Sequence, residues 1–162
     1  MRYHRLMLGW VLLFLWTLQV KAFADEAQLS VWANEAIIET YTYSYQNLLE
    51  QQKHIATYFS VPGWMSFINA IRDAKLLDAV KKNNYFVNAV ALMPPTIRNT
   101  SPTSWQAVMP VLIVYKNAQY EQKQYVSVTL DFSQAPVGKG VRGFFINSLR
   151  TKEIAPPCVC KS

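Results

Sequence analysis

The sequence contains few of the residues from which catalytic and metal sites are usually built. Its 162 residues include two cysteines, two histidines and five glycines. No nucleophile lies near a base, no metal ligands are spaced for coordination, and no glycine-rich loop is present to hold a phosphate. Gly138 and Gly140 fit a turn between two strands. These absences argue against an enzyme, and we expect the chain to bind no cofactor and no metal.

The titratable residues that remain are scattered. His54 lies in a polar stretch with Glu50 as its only acid at helical spacing, which is typical of a solvated surface histidine. Glu35 and Glu39 are one turn apart on the polar face of a predicted helix, and Asp131 lies on the polar face of a predicted strand. A catalytic role would require one of these carboxyls to have a raised pKa inside a pocket.

The N-terminus has the three parts of a secretory signal peptide. A basic start at residues 2–5 precedes an uncharged, mostly apolar run over residues 6–18, and Ala22-Phe23-Ala24 follows directly before Asp25. The alanines on either side of the phenylalanine form a small-x-small cleavage site. We therefore predict that residues 1–24 are a signal peptide and that cleavage separates Ala24 from Asp25.

A membrane anchor is the rival interpretation of this segment. Extended to Val20, the uncharged run has about 15 residues and spans about 22 Å as a helix, against about 30 Å for the hydrocarbon core of a bilayer. No cysteine follows the cleavage site to carry a lipid. We expect an exported and released protein with no transmembrane segment in its mature form.

Cleavage would also lower the positive charge. The formal net charge of the whole chain is +6, from 16 basic and 10 acidic residues. Arg2, Arg5 and Lys21 would leave with the signal peptide, so a charge of about +3 would remain. No run of Lys or Arg survives, and we expect no nucleic-acid partner. The aromatic content of 14% and the few glycines argue against disorder and indicate one folded domain.

The first half of the mature chain has the apolar spacing of helices. Residues three and four positions apart predict one continuous helix face: Leu29, Trp32, Ala33, Ala36, Ile37, Thr40, Tyr41, Ser44, Tyr45 and Leu48. Tyr41 and Tyr45 would then stack one turn apart, and Tyr43 would point elsewhere. Pro62 suits the start of a second helical region, which we expect to end at residues 81–84, where positive charge is followed by asparagine.

From residue 86 the apolar spacing changes to two. Strands are predicted at residues 86–93, 105–115, 125–132 and 141–149, with a short hairpin link at residues 117–120. Pro110 indicates a sheet edge or a bulge, because proline lacks the N–H that a strand ladder uses. Helices followed by strands predict an α+β fold, with the helices packed on one face of a curved antiparallel sheet of about four strands.

The C-terminal residues 151–162 are predicted to form a flexible tail that contains both cysteines. Cys158 and Cys160 follow two prolines and are separated by one residue. A disulfide between them would close a strained ring, so it would be labile. A disulfide to a partner or a second copy, and a flexible tail with incidental thiols, are the alternatives.

Several aromatic motifs occur in one order along the chain. They are Trp32-Ala33-Asn34, the run Tyr41-Thr42-Tyr43-Ser44-Tyr45-Gln46-Asn47, Tyr58-Phe59-Ser60, Gly63-Trp64 with Phe67, Leu77-Asp78-Ala79-Val80, and Trp105, Pro110 and Tyr115. This pattern resembles the periplasmic domain of the DotI/IcmL/TraM family, inner-membrane components of type IVB secretion and conjugation machines. The resemblance covers most of the chain and implies a cone-like domain, here residues 25–150, related to the nuclear-transport-factor fold. Relatives are expected to keep a membrane anchor, from which the predicted signal peptide departs.

The resemblance implies a non-enzymatic periplasmic component or accessory subunit of a type IVB secretion or conjugation complex. Its expected partners are other subunits, among them outer-membrane core components and DotI/IcmL-like proteins, in homo- or hetero-oligomers. Candidate contact residues are Tyr41, Tyr43 and Tyr45, which offer aromatic surface, and Pro110, which weakens a strand edge. The plainer interpretation is that the tyrosines complete the core.

The alternative hypothesis is a periplasmic small-ligand-binding or isomerase-like protein that uses the interior of the cone. The state of that interior separates the two hypotheses. If Trp64, Tyr85 and Trp105 fill it, the alternative fails, whereas an open cavity lined by Asp131 or Glu39 would support it.

Overall fold

The computed structural model describes residues 25–157, with the helices preceding most of the strands. The helices are α1 (Glu26–Thr40), α2 (Leu48–Ala56), α3 (Val61–Asp73) and α4 (Leu76–Lys82), and the two-residue strand β1 (Tyr43–Ser44) separates α1 from α2. The remaining strands are β2 (Phe86–Ala91), β3 (Thr96–Ser101), β4 (Ser104–Lys116), β5 (Glu121–Gln134) and β6 (Phe144–Glu153).

These strands form one antiparallel sheet in which β4 is central. The order is β1-β2-β4-β5-β6, and β3 also pairs with β4. β5 pairs with the whole length of β4, whereas β2 and β3 share the other side, β2 along residues 111–116 and β3 along residues 104–108. The sheet is curled, and α1 packs across its inner face against β2, β3, β4 and β5.

Alternation along the long strands builds the core. Odd-numbered residues of β4 and even-numbered residues of β5 point inward, where they meet the buried face of α1. Trp32 lies at the centre: its ring stacks on Phe132 with centroids 5.0 Å apart and lies 5.4 Å from Phe144. Its indole N–H donates to the carbonyl of Val141 at 2.8 Å, which ties α1 to the loop before β6.

The predicted α+β class is confirmed, with six strands in the described part of the chain where about four were expected. The additional strands are β1 and β3. β3 is almost entirely polar and exposed, so no apolar alternation marks it in the sequence. β1 has two residues and exists through its pairing with Phe86 and Val87 of β2.

The prediction of one helix face reaching Leu48 is wrong beyond Thr40. α1 ends at Thr40, where the backbone turns into β1, and Leu48 begins a separate helix. At this end the amides of Tyr41 and Thr42 donate to the carbonyls of Ile38 and Glu39, three residues back, at 3.2 and 3.3 Å, so the i−4 bonding of the α-helix stops in a tightened last turn. Apolar residues continue to occur three and four positions apart after Thr40, although the helix has ended.

Helix α3 begins where the sequence predicts. Ser60 is its N-cap and accepts from the amide of Gly63 at 3.3 Å, with Pro62 in the first turn. Gly63 lies against β6: a Cβ at this position would be 2.6 Å from the carbonyl oxygen of Ile146. The helix therefore approaches the strand more closely than a residue with a side chain would allow.

The prediction that Pro110 marks an edge or a bulge is wrong. Pro110 pairs with Ser127 in the continuous ladder between β4 and β5. Its carbonyl accepts from the amide of Leu92 at 3.0 Å. Because the N and O atoms of one strand residue face the same side, the missing N–H faces the link between β2 and β3, where the ladder is already interrupted.

Strand β6 extends past residue 150, the predicted end of the domain. It pairs with β5 as far as Glu153, opposite Val126, and the amide of Ile154 donates to the carbonyl of Tyr125 at 2.9 Å. Residues 151–153 therefore belong to the sheet and not to a flexible tail.

Candidate protein-contact surface

The outer face of the sheet, on the side opposite α1, carries more apolar surface than alternation predicts. In an antiparallel sheet with one covered face, the other face is usually polar. Here Phe86, Val90 and Val108 are 43%, 50% and 37% exposed on that face. We call the following residues the outer apolar face: Phe86, Val90, Val108, Pro110, Leu112, Val114 and Tyr125.

Strand pairing makes these residues contiguous. Val90 lies opposite Leu112, which in turn lies opposite Tyr125, so one row crosses β2, β4 and β5. At the edge of the sheet the rings of Tyr45 and Phe86 meet edge to face, with centroids 5.5 Å apart. Of the predicted contact residues, Pro110 lies on this face, and Tyr45 lies beside Phe86 at its edge while packing partly against the core.

Charged and polar side chains border this face. Arg98 donates to Gln106 at 3.0 Å, and Gln106 donates to Asp131 at 2.6 Å. Arg150 donates to the other oxygen of Asp131 at 2.8 Å. These bonds form a polar row across β3, β4, β5 and β6.

Basic residues outnumber acidic residues around the outer apolar face. The residues with this orientation are Arg98, Lys116, Lys123, Arg150 and Lys152, against Glu121 and Asp131. Lys116 and Lys123 lie 3.5 and 3.3 Å from Glu121. The rim therefore carries a net positive charge.

The other two predicted contact residues lie inside the protein. Tyr41 and Tyr43 are 8% and 9% exposed, so their rings offer almost no surface to a partner. Burial raises the pKa of Tyr41 to about 12, although its hydrogen bond with Thr151 opposes the shift. Burial also raises the pKa of Tyr43, and nearby Tyr115 adds to the shift. For these two tyrosines the structure agrees with the interpretation that they complete the core.

The interior of the curled sheet is filled mainly by aromatic rings. Trp105 is buried, with its ring stacked on Phe132 at 5.6 Å. Trp64 and Tyr85 are half-buried and pack against the same core. A small cavity between the helices, lined by Tyr41, Trp64 and nine other residues, has a volume of about 20 Å³, which is room for one water molecule.

The two carboxyls proposed for an interior ligand site lie elsewhere. Asp131 belongs to the polar row on the outer face. Glu39 is on a partly exposed helix surface, where its carboxylate lies 3.6 Å from His54 and accepts from Gln51. The arrangement of these residues does not favour an interior ligand site.

His54 has an acidic neighbour that sequence spacing missed, because Glu39 comes from another helix. A second set of polar contacts, which sequence spacing also missed, surrounds Glu35. Tyr58 donates to its carboxylate at 2.9 Å, and Arg142 binds the same carboxylate. Burial and this hydrogen bond raise the pKa of Tyr58 to about 12. The network joins α1 to α2 and to the loop before β6, and only the tertiary arrangement assembles it.

Some predicted features fall outside the described residues. Ala24, Cys158 and Cys160 are among them, so the cleavage site and the thiol tail stay predictions. Within residues 25–157, no group of three or more histidines, cysteines and carboxylates is arranged to hold a metal. Among the helices of that same region, none has the length and apolar character needed to cross a bilayer.

The fold is shared with periplasmic parts of type IV secretion proteins. An IcmL-like type IV secretion protein from Legionella pneumophila is 57% identical, with a TM-score of 0.82 over 84% of this chain and 98% of that one. The periplasmic domain of DotI is 27% identical, with a TM-score of 0.76 over 82% and 98%. A periplasmic fragment of TraM shares the fold at 13% identity, with a TM-score of 0.67 over 82% and 100%.

A family model described as a type IV b secretion system, inner-membrane complex component, matches residues 12–153. The chain therefore belongs to the DotI/IcmL family of type IVB secretion components, as its aromatic motifs predicted. A comparison with curated protein sequences gave no significant match.

Proposed function

We propose that this chain is a non-enzymatic periplasmic subunit or accessory protein of a type IVB secretion complex, and that it joins the complex through the outer apolar face. The observation that carries the proposal is the exposure of Phe86, Val90 and Val108 on a sheet face that no described element covers. Contiguous exposed apolar surface on a soluble domain favours association with another protein.

The rim indicates the chemistry of the partner. Because basic residues outnumber acidic ones around the outer apolar face, a complementary surface has an apolar centre and acidic residues at its border. We expect such a surface on another subunit of the secretion complex. The family membership and the periplasmic domain of DotI, which has the same fold, support this assignment.

In this proposal the periplasmic location depends on the predicted signal peptide at residues 1–24. A chain with residues 1–24 removed reaches the periplasm without an anchor of its own, so contacts with other subunits would hold it at the complex. Outer-membrane core components and anchored DotI/IcmL-like proteins are the candidate partners.

The test uses one charge placed on the outer apolar face. Val90→Lys adds a cation at a half-exposed position whose backbone pairs with Leu112. The matched control is Val137→Lys, because Val137 is fully exposed in the loop between β5 and β6. Both proteins are crosslinked in their native cells and recovered, and the bound secretion subunits are quantified by mass spectrometry alongside effector or DNA transfer.

We expect Val90→Lys to lower recovery of secretion subunits about tenfold, since burying one unpaired charge costs more than 1.4 kcal/mol. Val137→Lys should behave as the unmodified protein, and both variants should unfold at the unmodified midpoint. Equal recovery and equal transfer for Val90→Lys would contradict the proposed surface. Crosslinks confined to copies of this chain, with normal transfer, would contradict the assigned partner.

A further inference from the structure

A second feature lies at the end of the curled sheet where α1 begins. There the inner face opens into a groove with a volume of about 840 Å³, within the range of about 300–1,000 Å³ that is typical of binding sites. One wall is the first turn of α1 and the other is β3. The side chains that border the groove include Glu26, Leu29, Ile97, Asn99, Trp105 and Phe144.

Strand β3 lines this groove with side chains and also has a free edge. It pairs with β4 on one side and with no other strand of the described residues. The direction of its backbone groups follows from β4, in which the carbonyl of Pro110 points toward the side shared by β2 and β3. Backbone groups alternate in direction along a strand, so Val108 and Gln106 also point their N–H and C=O groups toward β3.

In the register of the two strands, Val108 pairs with Thr96 and Gln106 pairs with Arg98. Those two residues of β3 therefore use their backbone groups in the ladder. The backbone N–H and C=O of the alternate residues, Ile97 and Asn99, point away from β4, and within residues 25–157 neither makes another backbone hydrogen bond. Their side chains line the groove.

We propose that the groove binds an extended peptide segment of another protein, which adds to β3 as a further strand. The added backbone pairs with Ile97 and Asn99, and an apolar side chain of the segment enters the groove beside Ile97, which is partly exposed. The occupant is a strand because β3, whose side chains line one wall of the groove, has an unpaired backbone edge. From residue 97 to residue 101 this edge accommodates about five residues, or about 17 Å.

Charge restricts the sequence of the segment. Arg142, at the rim, is already bound to the carboxylate of Glu35. Glu26 leaves the opposite rim negative, where α1 starts. The segment is therefore apolar at alternate positions and lacks acidic residues near the start of α1.

This binding site goes beyond the proposed function, because the groove and the outer apolar face lie on opposite faces of the sheet. The two proposals can therefore fail separately. Val90→Lys, which disrupts the outer apolar face, should leave peptide binding in the groove unchanged.

The test selects short peptides from a displayed random library on the purified full chain. The central pair of variants is Asn99→Pro and Asn99→Ala. Proline at position 99 removes the outward-facing N–H and blocks an added strand, whereas alanine removes only the side chain and keeps the backbone donor. A selected peptide is also made with single N-methylated backbone positions, and amide hydrogen exchange is measured at Ile97 and Asn99 with and without it.

We expect selected peptides to alternate apolar and polar residues, and to bind Asn99→Pro about tenfold more weakly than the unmodified protein. Asn99→Ala should bind within about twofold. N-methylation at alternate positions should weaken binding, and the peptide should slow exchange at Ile97 and Asn99.

Three outcomes would overturn the proposal. One is a library that yields no peptide preferring the unmodified protein over Asn99→Pro. Another is a peptide whose binding is unaffected by every N-methyl group, because side-chain contacts alone would then hold it. The last is a peptide that Val90→Lys weakens, since it would bind the outer apolar face.

Discussion

Gly63 lies where α3 meets β6, and its missing side chain permits the contact. A methyl group here would lie 2.6 Å from the carbonyl oxygen of Ile146 and 2.9 Å from that of Asn147, so the helix or the strand would have to move. We expect Gly63→Ala to lower the free energy of unfolding by about 1–3 kcal/mol, the usual cost of overpacking. Urea denaturation measures this change.

Ser66→Ala is the matched control, because Ser66 is exposed on the same helix and alanine removes only a solvated hydroxyl. Its stability should stay within about 0.5 kcal/mol of the unmodified protein. Equal unfolding midpoints for Gly63→Ala and Ser66→Ala would show that the helix and the strand are less closely packed. The Gly63-Trp64 motif would then have a role other than packing.

Tyr41 gives the protein a dependence on alkaline pH. Its buried phenol has a pKa raised from 10.0 to about 12, and the hydroxyl lies 2.5 Å from that of Thr151. Between these pH values the unfolded chain loses the phenolic proton while the folded protein keeps it. The stabilisation from the neutral phenol is therefore complete below pH 10 and is lost as the pH rises toward about 12.

We expect Tyr41→Phe to have a shallower fall in stability across that alkaline range than the unmodified protein. A series of urea unfolding curves at increasing pH measures both slopes. Tyr43, Tyr58 and Tyr115 also have raised pKa values and will leave a residual slope in the variant. Identical slopes for both proteins would mean that Tyr41 ionises as readily in the folded state as in the unfolded one.

At the scale of elements, β6 decides where the domain ends. Its last residues pair with Val126 and Val128, and Thr151 contacts the hydroxyl of Tyr41. A chain ending at Arg150 loses these hydrogen bonds and should be at least about 2 kcal/mol less stable, at about 1 kcal/mol for each bond. A chain ending at Ala155 keeps them and should match the full chain in thermal unfolding. Equal stability of both truncated chains would show that residues 151–153 do not stabilise the sheet and would support the predicted flexible tail.

The elements differ in how clearly the sequence marks them. β4 and β5 were predicted because their inner residues are apolar and their neighbours less so, and burial follows that alternation. β3 carries no such signal, since almost all of its side chains face water or the groove. The end of α1 was missed because a spacing of three and four continues through Tyr41, Ser44 and Tyr45 after the helix has stopped.

Pro110 shows how an element-level rule fails. Proline is rare in central strands because it removes a ladder hydrogen bond, and this rule predicts an edge. β4 is long enough to pair with two shorter strands on one side, and Pro110 lies opposite the gap between them. Pro110 therefore lies within the central strand and not at the expected edge.

For the whole molecule, export is the remaining prediction from the N-terminus. We expect cleavage between Ala24 and Asp25, because a basic start, a short apolar run and a small-x-small site occur in order. Intact-mass measurement of the protein from its native cells should give a chain that begins at Asp25, in the periplasmic fraction. A mass that includes Met1, in the inner-membrane fraction, would contradict both cleavage and release.

The sequence by itself determined the family, the α+β class and the inward faces of the long strands. Those properties depend on local spacing and on motif order, which are written along the chain. Tertiary structure decided which aromatic residues remain accessible. Tyr41 is buried with its hydroxyl against Thr151 of β6, and Tyr43 is buried opposite Val87, whereas Tyr45 is partly exposed beside Phe86. Tertiary structure also assembled the outer apolar face and the groove beside β3, because strand pairing joins residues that are far apart in the sequence.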